Sequence, residues 1–351
     1  MRTAIIYSQK YLEHRAKGGY PEKPERLIAI MNGIRKSHLF GNNNIVLIEP
    51  KCASIEDLQL VHTREHIDRV RAICETGGGL IGEETPVSER SFEVAMLAAG
   101  GAIEAARVIV SGEYNSAFAL VRPPGHHAGP NYSLGFCIFN NVALAAKYLI
   151  EKCRLNRILI LDIDAHHGNG TQEIFYSTSS VLYISLHEDP TDFPGTGFIW
   201  DVGADEGRGY TVNIPLPYGS GDPAYWRAFK TIVSPIIEQY RPQIILVSAG
   251  FDGYYRDNVS ELALSAQIYL KIFQEIIGLA HKLCYGKMAA VLEGGYNLWF
   301  LKRIVAACIG RMAGINTKVR DKRPPINLEA QKEADKIIKV VRKVQSKYWS
   351  L

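Results

Sequence analysis

The chain has 351 residues, 47% of them hydrophobic and 22% charged, with a formal net charge of +4. No run approaches the roughly 18 apolar residues of a membrane span, and the apolar stretch in "MRTAIIYSQK" is too short for a signal-peptide core. Six scattered cysteines without C-x-x-C pairs argue against a disulfide framework and a sulfur-ligated zinc site, so a reducing, cytoplasmic setting is expected.

In chain order, the first strand is predicted at "TAIIY" (3–7), followed by helical patterns at 24–37, 55–74 and 91–111. "SAFALV" (116–121) precedes a helix at 140–153, and "RILILD" (157–162) and "VLYISL" (181–186) follow. "TVNIPL" (211–216) leads to a helix at 222–240, "QIILVSAG" (243–250) to one at 263–283, and "MAAVLEG" (288–294) to one at 298–313. Val/Ile/Leu runs without alternation suit strands buried on both faces. Strands alternating with helices predict a single-domain α/β fold, a parallel sheet of about eight strands covered by helices on both faces. One catalytic domain is expected over 1–315, with no linker to divide it, and a basic helical extension over 316–351.

In open parallel sheets, ligands bind beyond the carboxyl ends of the strands. Here "DIDAHH", "SLH", "AGFDG" and "EGGYN" all follow strand ends, so their polar groups should converge. Asp162, Asp164 and His166 alternate along extended chain and point the same way. Two buried carboxylates on one side repel unless one is protonated or a cation lies between them. With Asp252 from another strand end, Asp164 and His166 would make a three-ligand site with an open position, the pattern of a catalytic zinc. A buried hydrogen-bond cluster around a turn is the alternative.

The adjacent His126 and His127 in "RPPGHHAGP" (122–130) also follow a strand end. Either they cap the loop, or one imidazole serves as general base, tuned by a neighbour such as Asp162. In "LEGGYN" (292–297), Gly294 and Gly295 give the backbone freedom to bring Tyr296 close to a reacting oxygen. A core tyrosine is the alternative there.

With these pieces in order, the chain resembles the arginase/deacetylase superfamily. Within it, the chain is similar to the zinc-dependent histone deacetylases and acetylpolyamine amidohydrolases, closest to the class II branch. The resemblance rests on "YPEKPERL" (20–27), "RPPGHHAGPNYSLGFCIFNNVALAA" (122–146), "ILDIDAHHGNGTQEIFY" (160–176), "SLHEDPTDFPGTG" (185–197), "LVSAGFDG" (246–253) and "LEGGYN". It implies an arginase/deacetylase fold and zinc-dependent hydrolysis of an N-acetyl amide to amine and acetate. It also implies zinc, or ferrous iron, on Asp164, His166 and Asp252. His127 is then general base and acid, His126 an electrostatic partner held by Asp162, and Tyr296 the group that polarises the substrate carbonyl. Asn169 supports the second histidine. Phe136 and Phe193 wall a tunnel, the Gly135 carbonyl accepts a substrate N–H, Gly295 lies in the substrate-binding stretch, and Arg26 sits deep near an acetate exit. The same resemblance implies structural potassium at two sites. One uses Asp162, Ser185 and main-chain oxygens of Asp164, His166 and Leu186; the other uses main-chain oxygens of Phe175, Thr178, Val181 and Tyr210.

The substrate expected is acetyl-lysine in protein or peptide, with an acetylated polyamine or another small acylated amine as the alternative. Polyamine-specific relatives carry an acidic gatekeeper in the loop after the second zinc aspartate. Here Asn258 and Val259 align with it, although Glu261 follows and Glu83 and Glu84 could rim the mouth. A silent acyl-lysine-binding scaffold should have lost a ligand, a dyad histidine or the tyrosine, and none is lost. A dimanganese ureohydrolase would need more His/Asp ligands than these stretches supply.

Residues 317–351 hold ten Lys/Arg against four Asp/Glu, a net of +6 that leaves the rest of the chain near −2. A solvated helix is expected rather than a nucleic-acid contact. The spacing of Leu328, Ile337, Ile338, Val341 and Val344 predicts a helix over 328–347 that docks on the body or on a second subunit of a homo-oligomer.

Overall fold

The computed structural model describes residues 2–15 and 19–351. Among the described residues, ten strands and eleven α-helices follow one another. The N-terminal part contains β1 (Thr3–Ile6), α1 (Glu25–Lys36), β2 (Ile45–Ile48), α2 (Ile55–Leu58), α3 (Arg64–Glu75), β3 (Gly78–Gly82), β4 (Thr85–Ser88) and α4 (Ser91–Val110). Next come β5 (Ser116–Ala119), α5 (Asn141–Cys153), β6 (Ile158–Asp162), α6 (Asn169–Phe175), β7 (Val181–Glu188) and β8 (Thr211–Leu216). The chain ends with α7 (Asp222–Ala228), α8 (Ser234–Tyr240), β9 (Ile244–Ala249), α9 (Ala266–Cys284), β10 (Met288–Leu292), α10 (Leu298–Met312) and α11 (Leu328–Gln345).

Eight strands form one parallel sheet in the order β2-β1-β5-β10-β9-β6-β7-β8; β3 and β4 form a separate antiparallel hairpin. Every residue of β6, β9 and β10 is buried, as expected of strands covered on both faces. Each Leu, Ile or Val so buried contributes roughly 1.5–3 kcal/mol. The topology also positions chemistry. Strands β9 and β10 return to fill the gap between β5 and β6, so four loops from distant parts of the sequence leave adjacent strand ends.

Three expectations change. The single helix over 55–74 is two helices, because the Thr63 hydroxyl accepts from the His66 N–H and starts a new one. The helix over 222–240 carries a π turn at Phe229–Val233, just before Pro235, whose ring cannot donate into the ladder. The eighth strand is β2, and the hairpin β3–β4 and helix α6 are additional elements.

Helix α11 lays Ala334, Ile338 and Val341 against the body beside β8, while Leu328 stays exposed. The Gln345 side chain donates to the Thr211 carbonyl (3.3 Å), Trp349 Nε1 to the Gly209 carbonyl (2.9 Å), and Arg227 pairs with Asp335. The apolar stripe of the extension is therefore used within the chain. All six cysteines are free. No helix is long and apolar enough to cross a membrane among the described residues.

Candidate active site

The ends of β5, β6, β9 and β10 open into a cavity of about 820 Å³. Asp164, His166, Asp252, His126, His127, Gly135, Phe136, Phe193 and Tyr296 all line it. At its floor, one ligand atom each from Asp164, His166 and Asp252 lies within 4.8 Å of the others. His166 Nδ1 stands 3.3 Å from Asp164 Oδ1 and 3.1 Å from Asp252 Oδ2. Backbone amides steady the carboxylates: Gly294 N–H donates to Asp164 Oδ2 (2.8 Å), His166 N–H to Asp164 Oδ1 (3.0 Å) and Ala165 N–H to Asp252 Oδ1 (2.9 Å). A Cβ at Gly294 would come within 2.5 Å of Asp252 Oδ2 and 2.6 Å of Asp164 Oδ2, so the backbone can pass here only as glycine. One nitrogen and two carboxylate donors, buried yet open to a cavity, are a donor set that fits a divalent metal with a vacant position. Among the described residues this cluster has three ligands, short of a dimetal set.

The two histidines are oriented differently. His126 Nδ1 lies 3.1 Å from Asp162 Oδ2, which also accepts from the Tyr183 hydroxyl (3.1 Å). Burial disfavours its charged form, but Asp162 and Asp164 outweigh burial and lift His126 to about 10. His127 Nδ1 lies 2.7 Å from Asn169 Oδ1. Burial first, and then the neighbouring His126, hold His127 well below the usual histidine range. One imidazole is thus kept charged and the other neutral.

The walls are aromatic. The Phe193 ring lies 5.0 Å from that of His127 and 5.8 Å from that of His166; Phe136 lies 5.9 Å from Tyr296. Gly135 and Phe136 both have positive φ, +53° and +67°. A Cβ at Gly135 would approach His127 Cδ2 to 2.7 Å, so glycine is required there on both counts.

Residues 20–312 match the model of the histone deacetylase domain. The chain belongs to the histone deacetylase family. A probable deacetylase of Archaeoglobus fulgidus is 41% identical over 360 aligned residues, covering 99% of each chain. The histone deacetylase-like amidohydrolase of Pseudomonas aeruginosa is 36% identical over 311 residues, 89% of this chain and 81% of the relative. The crystal structure of the HDA15 HD domain superposes with a TM-score of 0.88 at 35% identity, covering 99% of this chain and 95% of that one. Family membership makes the chain a hydrolase of the deacetylase and amidohydrolase type.

The remaining predicted residues fall in distinct places around this deacetylase-family site. Asp162 and Ser185 are register partners on β6 and β7, next to Leu186. Phe175, Thr178, Val181 and Tyr210 gather instead near the starts of β7 and β8, where the Tyr210 carbonyl already accepts from Tyr183 N–H (2.9 Å). Gly294 rather than Gly295 lines the cavity; the Gly295 carbonyl accepts from Arg26 Nε (2.7 Å). Arg26 is fully buried below the Tyr296 ring, 4.8 Å from its centre, and also reaches Glu22 Oε1 (3.1 Å) and the Glu293 carbonyl.

Several residues of the site's frame were not singled out from the sequence. Glu22 takes a two-pronged pair of bonds from Arg122, each 2.8 Å. Burial works against its charge, but Arg122 and Arg26 prevail and hold Glu22 at about 2. Asp257 Oδ2 accepts from the consecutive amides of Tyr296 (2.6 Å) and Asn297 (2.8 Å), and the Asn297 side chain donates to the Arg256 carbonyl (2.8 Å). Glu293 Oε2 accepts from Gly125 N–H (2.7 Å) and His126 N–H (3.2 Å), anchoring the histidine loop to β10.

His62 anchors the same loop from the other side. Its Nε2 accepts from Asn140 N–H (2.9 Å), so its Nδ1 carries the proton given to the Gly129 carbonyl (2.9 Å). A protonated ring could not accept from Asn140. Burial, and then the adjacent His66, push His62 down to about 3. Its folded-state pKa lies below the unfolded value of 6.5, so its stabilising contribution is complete above pH 6.5 and is lost as pH falls toward 3. Burial holds His66 and His14 at about 4, and they act in the same direction. Thermal unfolding is expected to show Tm falling from pH 6.5 to 4.5, with a shallower slope in His62→Gln. An unchanged slope in that variant would remove His62 from the explanation.

Proposed function

We propose that the chain removes the acetyl group from acetyl-lysine in protein or peptide by zinc-dependent hydrolysis. The observation that carries this reading is the Asp164–His166–Asp252 cluster at the floor of a cavity whose walls hold both histidines and Tyr296. These three side chains would hold the zinc, which when bound supplies Lewis-acid polarisation and lowers the pKa of a coordinated water.

The chain's own groups supply the rest. With Asn169 Oδ1 accepting from Nδ1–H of His127, the neutral ring presents Nε2 as a base, and that nitrogen has no protein partner among the described residues. His127 takes a proton from the attacking water and returns it to the amine as the C–N bond breaks. His126, held by Asp162, keeps positive charge beside the developing anion. The Tyr296 hydroxyl donates to the oxygen that gains charge. Phe136 and Phe193 flank the four-methylene stem of the lysine, and the Gly135 carbonyl accepts its amide N–H. Potassium on the oxygen donors around Asp162 and Ser185, and on the second set near Tyr210, belongs to the same reading; all-oxygen sites suit hard cations.

The neutral pair Asn258 and Val259 at the mouth favours acetyl-lysine over a polyamine. A second reading, an acetylated polyamine, is supported by Glu83, Glu84 and Asp192, which line the same mouth beside Lys23. Steady-state rates on an acetyl-lysine peptide and on acetylspermidine decide between them. A higher kcat/KM on the peptide is expected, and the reverse order would select the polyamine. Zinc analysis provides a separate check. One zinc per chain is expected, removed by a chelator together with activity and restored with it, whereas Asp252→Asn should retain far less metal. Full activity in metal-free protein would end the zinc reading.

A further inference from the structure

A second cleft, of about 630 Å³, lies outside the catalytic cavity. Its floor is α10, with Trp299, Lys302, Arg303 and Ala307; one wall is the last turn of α1, with Gly33 and Lys36; the other is the segment Thr317–Arg320. The walls are fixed. A Cβ at Gly33 would overlap the Lys302 backbone, so α1 and α10 meet backbone to backbone. Thr317 Oγ1 donates to the Ala307 carbonyl (2.7 Å), and Gln267 Nε2 donates to the Val319 carbonyl (2.8 Å).

Five cations line this cleft, Lys36, Lys302, Arg303, Lys318 and Arg320, and no carboxylate does. None of the five forms an ion pair among the described residues. The nearby Asp321 is committed elsewhere, to the Tyr254 hydroxyl (3.0 Å) and to Ala266 N–H (2.9 Å). Trp299 is 49% exposed with the Arg303 guanidinium 3.5 Å from its ring centre, which leaves aromatic surface for a second planar group. Five cations gathered around one hollow raise its positive potential, which draws anionic groups into it.

We propose that this cleft binds a nucleotide polyphosphate, with phosphates on Lys302, Lys318 and Arg320 and the base stacked on Trp299. The volume lies in the range of small-molecule sites. Cationic side chains recognise the phosphates, and the indole supplies a stacking face of the kind that bases use. The ligand would rest three residues from Tyr296, on the first turn of the helix that follows it.

Titration calorimetry on the full chain with ATP, inorganic tripolyphosphate and a 12-nucleotide single-stranded RNA, at low and physiological salt, tests the proposal. One ATP per chain is expected, bound more tightly than tripolyphosphate. Lys318→Glu/Arg320→Glu, both exposed positions, should weaken ATP at least about tenfold, the loss of one charge-assisted contact, with deacetylation of a peptide unchanged as the check on folding. Trp299→Ala should bring ATP to the level of tripolyphosphate. Absence of saturable ATP binding below millimolar concentration, or equal affinity in the charge-reversed variant, would overturn the proposal. RNA binding tighter than ATP would also overturn it, because the surface would then be part of a strand-binding track.

Discussion

His127→Gln is expected to lower kcat/KM on an acetylated peptide by about 10²–10⁴-fold, the range of a lost general acid–base group. Glutamine keeps a polar group of similar reach near Asn169 but cannot carry a proton between water and amine. The loss should therefore fall on turnover, with zinc content and Tm unchanged. That split is diagnostic, because a purely structural histidine would show its cost in stability first. Its ring is fixed by a 2.7 Å bond to Asn169 and packed edge-on against Phe193 at 5.0 Å, so its removal leaves Asp164, His166 and Asp252 in place. Activity within about tenfold of the parent would reassign the base to another group.

The second large effect is at Tyr296. Tyr296→Phe deletes one hydroxyl and leaves the ring contacts to Phe136 and Arg26 intact. A donor that strengthens its bond as charge builds on the carbonyl oxygen contributes to kcat more than to KM. The expected fall is about 10²–10³-fold in kcat, the cost of one oxyanion donor. Burial raises the Tyr296 hydroxyl well above its ordinary value, so it remains protonated as a donor at neutral pH. A variant whose KM rises with kcat preserved would place the hydroxyl in ground-state binding instead.

How much of this was legible follows from chain distance. "ILILDIDAHHGN" carries a strand, two carboxylates and two histidines within a dozen residues, so both the strand and the clustering of Asp164 and His166 at its end could be read directly. The convergence of the β6, β9 and β10 ends, and of the histidine loop after β5, followed from the rule that sites lie beyond strand ends, without knowing the strand order. "SLH" on β7 was expected there too, but none of its three residues lines the cavity. The edge strand β2 is wholly aliphatic, but a run of only four residues does not by itself separate strand from helix, and the glycine-rich β3 carries little apolar signal. His62 was invisible for another reason: its partners Gly129 and Asn140 lie 67 and 78 residues away. Asp257 resembles any loop aspartate until the fold carries it to the amides of Tyr296 and Asn297.

That last bond has a consequence for selectivity. Asn258 and Val259, which line the cavity, directly follow Asp257, whose carboxylate grips the main chain of Tyr296. Entrance and reaction centre are therefore yoked: a change that reshapes the doorway through this loop also tilts the hydroxyl below it. Substrate preference and turnover in this enzyme should drift together under mutation of that segment.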